Sequence, residues 1–401
     1  MSVRTTAVVR MNWFTRIDLS AAWRHRKHDA MTSDQKPLRD QIKQEMTNLF
    51  SLDARLVDEL ECSLSVLLAI LFAHLLGAAN VSWAAYSGYM VMRGHLAESA
   101  VRGVLRILGT CAGAGLAVTL APLIIGDLAG QILASAVIGG VALYAALTAK
   151  RAYAWLFVGL TFEMILLDKI QHQHLAVTAF ALTRMAEVFA GTSACVIVSA
   201  LSTFTVRRRW PAPPPAAAAQ FGWHPAAARH AAQGAVALGV LPCLAIFGLP
   251  ELAQSSITVL AVMLVPAASV GRSGLVPVSR RLVHRTVGCV TGGLFAAFVL
   301  FAAHGSAVIL ILSTFAGVIV GRHIENGGTA IAYSGTQFVL VILVALVPDS
   351  YAHPGIDPAL ERLAGILTGL VVLEPILLAW HLIAPSRQPS PEQAASANEG
   401  E

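Results

Sequence analysis

Long apolar stretches recur between residues 62 and 384, and they constrain this chain more than any other feature. Examples are CSLSVLLAILFAHLLGAA, QILASAVIGGVALYAALTA and AVILILSTFAGVIV. A helix that spans a bilayer needs about 20 mostly apolar residues. The chain is 56% hydrophobic and only 13% charged, and that charge is roughly half of what a soluble domain carries. The sequence therefore predicts an all-α, polytopic membrane protein.

The apolar stretches predict twelve membrane-spanning helices, six in each half of the chain. We expect these spans at 62–80, 81–93, 106–125, 130–149, 152–167, 185–205, 230–249, 255–270, 286–303, 305–320, 329–347 and 363–384. The predicted division is a partly disordered cytoplasmic segment (1–60), a first six-helix repeat (61–206), a Pro- and Ala-rich cytoplasmic linker (207–229), a second six-helix repeat (230–385) and a disordered tail (386–401).

The distribution of basic residues predicts the orientation of these spans. With the N-terminus in the cytoplasm, 25 of the 28 Lys and Arg residues fall in cytoplasmic segments, and only Lys169, Arg184 and Arg362 do not. Basic residues concentrate on the cytoplasmic side of membrane proteins. We therefore expect a multi-pass protein of the bacterial inner membrane with both termini in the cytoplasm. The net charge of +5 fits basic loops and does not indicate nucleic-acid binding.

Two pairs of matching motifs predict an internal duplication. RGVLRILGTCAG begins at Arg102, and RLVHRTVGCVTG begins at Arg281, an offset of 179 residues. RMAEVFAG at Arg184 and RLAGILTG at Arg362 repeat with an offset of 178. Because each half has an even number of predicted spans, the two halves would insert the same way up. They would then be parallel repeats, related by a pseudo-twofold axis along the membrane normal.

The first motif pair supplies four candidate substrate-binding arginines: Arg102, Arg106, Arg281 and Arg285. In each half the two arginines are four residues apart, so they share a helix face. They are expected at the cytoplasmic edge of a span. They could anchor the helix at the interface, which is the more common role. Alternatively, they form a cationic gate for an anionic substrate.

Glycines follow these arginines in both copies of the motif. Gly109 and Gly113 in the first half correspond to Gly288 and Gly292 in the second. Small residues at such positions let neighbouring helices approach closely, so they are predicted to form a helix-packing motif.

The second motif pair supplies Arg184 and Arg362, on the predicted outer side where basic residues are rare. They could attract an anion outward. Alternatively, each pairs with a nearby acid, Glu187 for Arg184 and Glu361 for Arg362. Charges within a membrane usually face the bundle interior or a partner.

Two acidic residues fall inside predicted spans, Glu163 and Glu374, the latter followed by Pro375. A carboxylate at this depth is costly, so it usually faces a cavity, pairs with a cation or relays protons. Neither acid has a counterpart in the other half, as a single proton-coupling site would require. A structural ion pair or hydrogen bond is the alternative.

The remaining signals are weaker. Residues 321–330, GRHIENGGTA, could form a cytoplasmic gate, but a solvated turn is favoured. His172 and His174 are weak evidence for a metal. No nucleotide-binding, hydrolase or metalloprotease motif occurs, so we expect neither an enzyme nor a cofactor. The five cysteines have unrelated spacings and predict small apolar core residues.

The motif around the first Arg-Gly repeat resembles the fusaric acid resistance family, which includes aromatic carboxylic acid efflux pumps. Its pattern is a Trp-Ala near the second span, followed by R-x-x-G-T-x-x-G opening the third. The matching residues are Trp83, Ala84, Arg106, Gly109, Thr110 and Gly113. The second copy is looser, because Cys289 replaces the Thr. The resemblance covers about 60–385.

This resemblance implies an inner-membrane exporter of weak organic acids, driven by the proton gradient. It also implies a lipid bilayer and an anionic small molecule as partners, with a membrane-fusion adaptor as in many relatives; a homo-oligomer remains open. Many relatives carry a large cytoplasmic domain, and this chain has only the linker and tail. A passive organic-anion channel and a non-transporting envelope protein are the alternative interpretations.

Overall fold

Helix is the only regular secondary structure in the described part of the chain, as expected where lipid cannot satisfy backbone polar groups. The computed structural model describes residues 52–172, 176–213, 224–248, 252–266, 269–270, 273–327, 331–349 and 354–383. These residues belong to a unit that starts at Leu52. The predictions for 1–51, for the middle of the linker and for the tail lie outside the described residues.

Among the described residues, the first half of the chain contains six α-helices: α1 (Ala54–Leu75), α2 (Val81–Val91), α3 (Leu96–Ile124), α4 (Leu128–Thr148), α5 (Ala152–Gln171) and α6 (Val177–Phe204). One turn of α4, Ser135–Gly139, is a π-helix.

The described part of the second half contains six more: α7 (Pro225–Leu244), α8 (Leu252–Val262), α9 (Leu275–Ala303), α10 (Ala307–Asn326), α11 (Ala332–Leu346) and α12 (Asp357–Ile383).

The two sets correspond in order and in most lengths. Helices α2 and α8 each have 11 residues, and α3 and α9 each have 29. Seven of these helices are long and apolar enough to cross a membrane: α3, α4, α6, α7, α9, α10 and α12. The protein is therefore an all-helical, multi-pass membrane protein.

Several helices begin earlier than the sequence predicts. Helix α3 starts ten residues before the predicted span at 106, and α9 starts eleven residues before 286. Helices α1, α6 and α12 also start earlier, at 54, 177 and 357, whereas α8 stops at 262 instead of 270. These helices therefore extend beyond the predicted spans, and several include arginines that the prediction placed just before a span.

Each half uses the same pairs of packed helices. Helix α3 packs on α5 as α9 packs on α11, and α2 packs on α6 as α8 packs on α12. Contacts between the halves are reciprocal as well, because α1 packs on α10 and α7 packs on α4. Likewise, α2 contacts α11 and α8 contacts α5. Reciprocal contacts of this kind are those of an isologous, twofold-related interface.

The short helices α2 and α8 are capped across this interface. The backbone N–H of Val81 donates to the Asp349 carboxylate at 2.8 Å, and the N–H of Leu252 donates to the Gln171 side chain at 3.2 Å. Both acceptors lie at or just beyond the C-terminal end of a helix of the opposite half. These bonds satisfy orphan N–H groups at helix starts that are partly buried.

The opposite ends of the bundle can be identified from side-chain contacts. Arg322, near the end of α10, bonds to Asp58 at the start of α1, and we call this the proximal end. Helices α2, α6, α8 and α12 begin at the other end, which we call the distal end; residues from these four starts line a single cavity there.

The repeated glycines lie where helices meet backbone to backbone. A Cβ atom at Gly109 or Gly113 would collide with the carbonyl oxygen of Ala154 or Val158 on α5. Gly288 and Gly292 face the Ser334 and Phe338 carbonyls on α11 in the same way. The packing of α3 on α5 and of α9 on α11 therefore depends on the absence of a side chain at these positions.

The outer faces of the long helices are apolar. On α9, Leu294, Phe298 and Phe301 are exposed, and on α3 Leu108 and Leu123 are exposed. A water-soluble protein rarely exposes so much contiguous apolar surface. These faces are suited to contact with lipid tails.

Replacing Gly109 by Ala is expected to destabilise the protein by about 1–3 kcal/mol, because the new methyl group overpacks the contact between α3 and α5. Gly115→Ala is the matched control, since a Cβ there meets no atom within 4 Å. Thermal unfolding of the detergent-solubilised protein measures both. Equal melting temperatures for the two variants would contradict the assigned packing.

Candidate functional site

A cavity of about 590 Å³ opens at the distal end, between the two halves. Its walls come from the starts of α2, α6, α8 and α12 and from the ends of α5 and α11. Its charged lining residues are Asp168, Arg184, Asp349, Asp357, Glu361 and Arg362. Both arginines of the second motif pair therefore reach the same cavity, which makes it the candidate site.

Arg184 is a buried member of this cavity whose charge is already neutralised. Its guanidinium lies 3.1 Å from the Glu187 carboxylate, one turn away on α6. It is also stacked between the rings of Trp83 and Phe180, at 4.4 and 4.8 Å. Glu187 in turn accepts the backbone N–H of Asn80 at 3.1 Å. Of the two sequence alternatives, the pairing of Arg184 with Glu187 is therefore the one that the geometry matches.

Arg362 has a different environment. It is 2% exposed, and its Nη2 donates to the Gln337 side-chain oxygen at 3.1 Å. The adjacent Glu361 is exposed, and within the described ranges no ion pair joins it to Arg362. The pairing that the sequence suggested for Arg362 is therefore absent from this part of the chain.

Arg285 reaches the same glutamine from α9. Its Nη1 donates to the Gln337 oxygen at 2.9 Å and to the Tyr333 hydroxyl at 3.3 Å. Arg285 is also 2% exposed. Its Nε and Nη2, and the Nε of Arg362, are buried and have no hydrogen-bond partner among the described residues. Two buried cations thus share one neutral acceptor.

Arg106, the counterpart of Arg285 in the first half, is better satisfied. Its Nε donates to the Ser87 hydroxyl and its Nη1 to the Tyr153 hydroxyl, both at 3.2 Å. Its guanidinium lies over the Phe157 ring, 4.1 Å from the centroid. Phe157 and Gln337 occupy matching positions in the two halves, as do Tyr153 and Tyr333, each with an offset of 180 residues.

Arg102 and Arg281 donate hydrogen bonds to backbone carbonyls near the ends of the short helices α2 and α8. The Nε of Arg102 donates to the Met90 carbonyl at 3.0 Å, and Arg281 donates to the Leu264 carbonyl. Each also stacks on the tyrosine of its half, at 3.8 Å from the Tyr153 centroid and 4.4 Å from that of Tyr333. These contacts bind carbonyls at and just beyond the last turns of α2 and α8. They give the two residues a structural role.

The location of Arg106 and Arg285 at the cytoplasmic edge stays a prediction, but their helices begin well before both residues. Arg106 and Arg285 are each the eleventh residue of a 29-residue helix. A rise of 1.5 Å per residue places them about 15 Å from the helix start. Both are buried, so they contact protein instead of lipid headgroups.

Glu163 lies at the centre of α5 and is fully buried. One carboxylate oxygen accepts the Ser135 hydroxyl at 3.1 Å, and the other has no partner among the described residues. Ser135 belongs to the π-helical turn of α4, and a Cβ at Gly139 in that turn would meet both Glu163 and Leu238 of α7. Glu163 therefore lies beside the contact between α4 and α7. The described residues supply no cation for it.

Glu374 is only partly buried on α12. It accepts the Ser279 hydroxyl of α9 at 3.0 Å. Glu374 does not line the cavity, whereas Met164, the neighbour of Glu163, does. The two acids, which the sequence did not distinguish, therefore differ in burial and in their distance along the chain from a cavity residue.

The segment from Gly321 contributes to an ion-pair cluster at the proximal end. Arg322 lies 2.7 Å from Asp58 and 3.2 Å from Glu325, and Arg207 lies 2.5 Å from Glu61. The favoured solvated turn was therefore wrong for its described part, 321–327, because Arg322 and His323 are buried against α1. The contacts of Arg322 with Asp58 and of His323 with Glu59 join α10 of one half to α1 of the other.

Sequence reasoning missed Gln337, Tyr153 and Tyr333. The repeat contained a usable signal for the tyrosines, because their offset of 180 residues is within two of the offsets of the arginines. Nothing marked Gln337, since a glutamine in an apolar stretch has many roles. His172 pairs with Asp168 at 3.2 Å, and His174 lies outside the described residues. No group able to hold a metal ion occurs in the ranges searched.

The family described as "Fusaric acid resistance protein-like" matches the chain twice, at residues 68–198 and 243–373. The two matches together cover more than half of the chain. The chain belongs to this family. The first match runs from α1 into α6, and the second runs from the end of α7 into α12. The resemblance stated from the sequence is confirmed, and the family pattern itself is repeated. No curated protein and no solved structure matches the chain significantly.

The two buried arginines Arg322 and Arg285 are expected to respond oppositely to replacement by glutamine. Arg322→Gln leaves Asp58 without its closest cation and should cost on the order of 3 kcal/mol. Arg285→Gln removes a buried charge that has no acid beside it, so stability should stay equal or rise. Thermal unfolding of the two purified variants tests this. A large loss of stability in Arg285→Gln would contradict the assignment of Arg285 as an unpaired cation.

Proposed function

We propose that this protein is a secondary transporter that exports aromatic or other weak organic acids through the seam between its two halves. The observation that carries the proposal is the pair Arg285 and Arg362, both buried and without an acid in contact among the described residues. Unpaired cations at such depth are costly, and proteins retain them chiefly where they face a substrate path. Membership of the fusaric acid resistance-like family supports this proposal.

In this proposal all twelve helices span the inner membrane as two parallel six-helix repeats. The proximal end would face the cytoplasm, with both termini on that side. This orientation is supported by Lys150, Arg151 and Arg207–Arg209, which follow helices that end there. The short helices α2 and α8 would then lie within the membrane, where their ends are satisfied by side chains.

A line of polar groups connects the cavity with the proximal side. From the cavity inward it runs through Arg362, Gln337, Arg285, Tyr333 and Arg281, and successive members are in contact. An anion moving along this line would bind to the guanidinium groups of the three arginines in turn. The proposed direction of export is from the proximal end to the distal cavity.

Glu163 is the better placed of the two candidates for proton coupling. It is fully buried, lies next to the cavity residue Met164, and is held by one serine hydroxyl. A buried carboxylate without a cation can bind a proton when the path is open to water. The π-turn of α4 supplies the serine, and such turns are frequent at functional sites.

Export of this kind requires neither a cofactor nor an enzymatic step. An adaptor protein and a homo-oligomer, both considered from the sequence, stay predictions.

Efflux from cells tests the proposal. An overexpressing strain loaded with labelled benzoate should lose the label several times faster than a deletion strain, and an uncoupler should abolish the difference. In Glu163→Gln the proton site is gone, so uncoupler-sensitive efflux should fall by at least tenfold. Glu374→Gln serves as the control and should keep most of it.

Three outcomes would contradict this account. Equal efflux from the two strains would remove the transport function for this class of acid. Efflux that persists with the uncoupler would favour a passive channel. A normal Glu163→Gln variant beside an inactive Glu374→Gln variant would transfer the coupling role to Glu374.

A further inference from the structure

We infer that the protein has one anion subsite, formed by Arg285 and Arg362 around Gln337 in the second half, and that it accepts a ligand with a single negative charge. The inference rests on the proposed function only for its role in transport. Binding to the purified protein tests it separately.

The two halves differ in what neutralises their arginines. In the first half, Arg184 has the Glu187 carboxylate at 3.1 Å, and Arg106 has two hydroxyls and the Phe157 ring. In the second half, Gly365 takes the position that Glu187 has in the repeat, because RLAG replaces RMAE. The same fold thus places two arginines in each half but supplies an acid only to the first.

Gln337 holds the two uncompensated arginines at one point. The side-chain oxygen of Gln337 lies 2.9 Å from Arg285 Nη1 and 3.1 Å from Arg362 Nη2. On the same two guanidinium groups, Arg285 Nε and Nη2 and Arg362 Nε are buried and have no hydrogen-bond partner within the described ranges. Guanidinium groups with free donors bind carboxylates strongly and with defined geometry. A carboxylate would therefore satisfy three donors that Gln337 does not reach.

Of the three subsite residues, Arg362 lines the distal cavity, so the body of a bound ligand would extend into it and the other lining residues limit the charge of the ligand. Asp168, Asp349, Asp357 and Glu361 all line it. A second negative group that projected from the subsite into the cavity would face these four acids and be repelled. A neutral body would instead contact Trp83, Met164 and Val344, which also line the cavity. The subsite is consequently selective for monocarboxylates over dicarboxylates of the same shape.

Gln337→Glu is the most direct test, because it changes charge without changing shape. The new carboxylate would lie within bonding distance of both arginines and act as a built-in ligand. Equilibrium binding of labelled benzoate to the purified full chain should weaken by at least tenfold. The melting temperature should stay equal or rise, because two buried cations gain a partner. A loss of binding combined with retained stability is not expected from a merely structural glutamine.

Glu374→Gln is the control, because Glu374 does not line the cavity, and it should bind benzoate with wild-type affinity. Arg362→Gln is a second test of the subsite should Gln337→Glu fold poorly, and it should also lose at least tenfold. Unchanged binding in a folded Gln337→Glu or Arg362→Gln variant would overturn the inference, as would loss confined to Glu374→Gln.

Terephthalate tests the charge limit, because it is benzoate with a second carboxylate opposite the first. It should compete for the benzoate site at least tenfold more weakly than unlabelled benzoate, and equal competition would overturn the single-charge assignment.

If benzoate binds as inferred but cells show no efflux, the transport proposal fails while the subsite stands. If efflux occurs and Gln337→Glu does not change it, the subsite inference fails while the transport proposal stands.

Discussion

A guanidinium buried in a membrane protein must find its partners within the protein, because lipid offers none. That constraint explains where most of the buried arginines lie. Arg322 binds Asp58 of the other half at the proximal end, and Arg207 binds Glu61 within the first half. Arg102 and Arg281 bind carbonyls near the ends of the short helices, and Arg184 binds Glu187. Arg285 and Arg362 are different, because they meet at a neutral glutamine. Their uncompensated charge is the feature from which the functional proposal follows.

Duplication accounts for the framework, and divergence between the copies accounts for the site. Both halves keep the glycines that let α3 approach α5 and α9 approach α11. Both also keep the tyrosine that contacts two arginines. Three of the differences bear on the site: Phe157 against Gln337, Glu187 against Gly365, and the π-turn of α4, which has no equivalent in α10. Gln337 and the absence of an acid at Gly365 give the second half the single proposed anion site. The π-turn of α4 supplies the serine of the single proposed proton site in the first half.

Sequence alone predicted the helical membrane class, the repeat and the family, since apolar length and motif spacing are local properties. It also named six arginines and two acids as candidates, and their functional roles stay predictions. The helices α3 and α9 begin before the predicted spans, because an arginine that is costly in lipid is acceptable when a neighbouring helix supplies its partners. Sequence alone could not separate Arg362 from Arg184, since the decisive contact with Gln337 comes from another helix. The same reason hid the different surroundings of Glu163 and Glu374.

The central claim is that Arg285 and Arg362 in the second half have no acidic partner and that one anion binds to both of them. A structure determined in a lipid environment with bound 4-bromobenzoate measures this most directly, because the bromine locates the ligand and the side chains show its contacts. The account predicts one ligand per chain, with its carboxylate on Arg285 and Arg362 and its ring directed towards Trp83. A ligand on Arg184, two ligands in equivalent positions of the two halves, or a protein carboxylate bonded to Arg285 would contradict it.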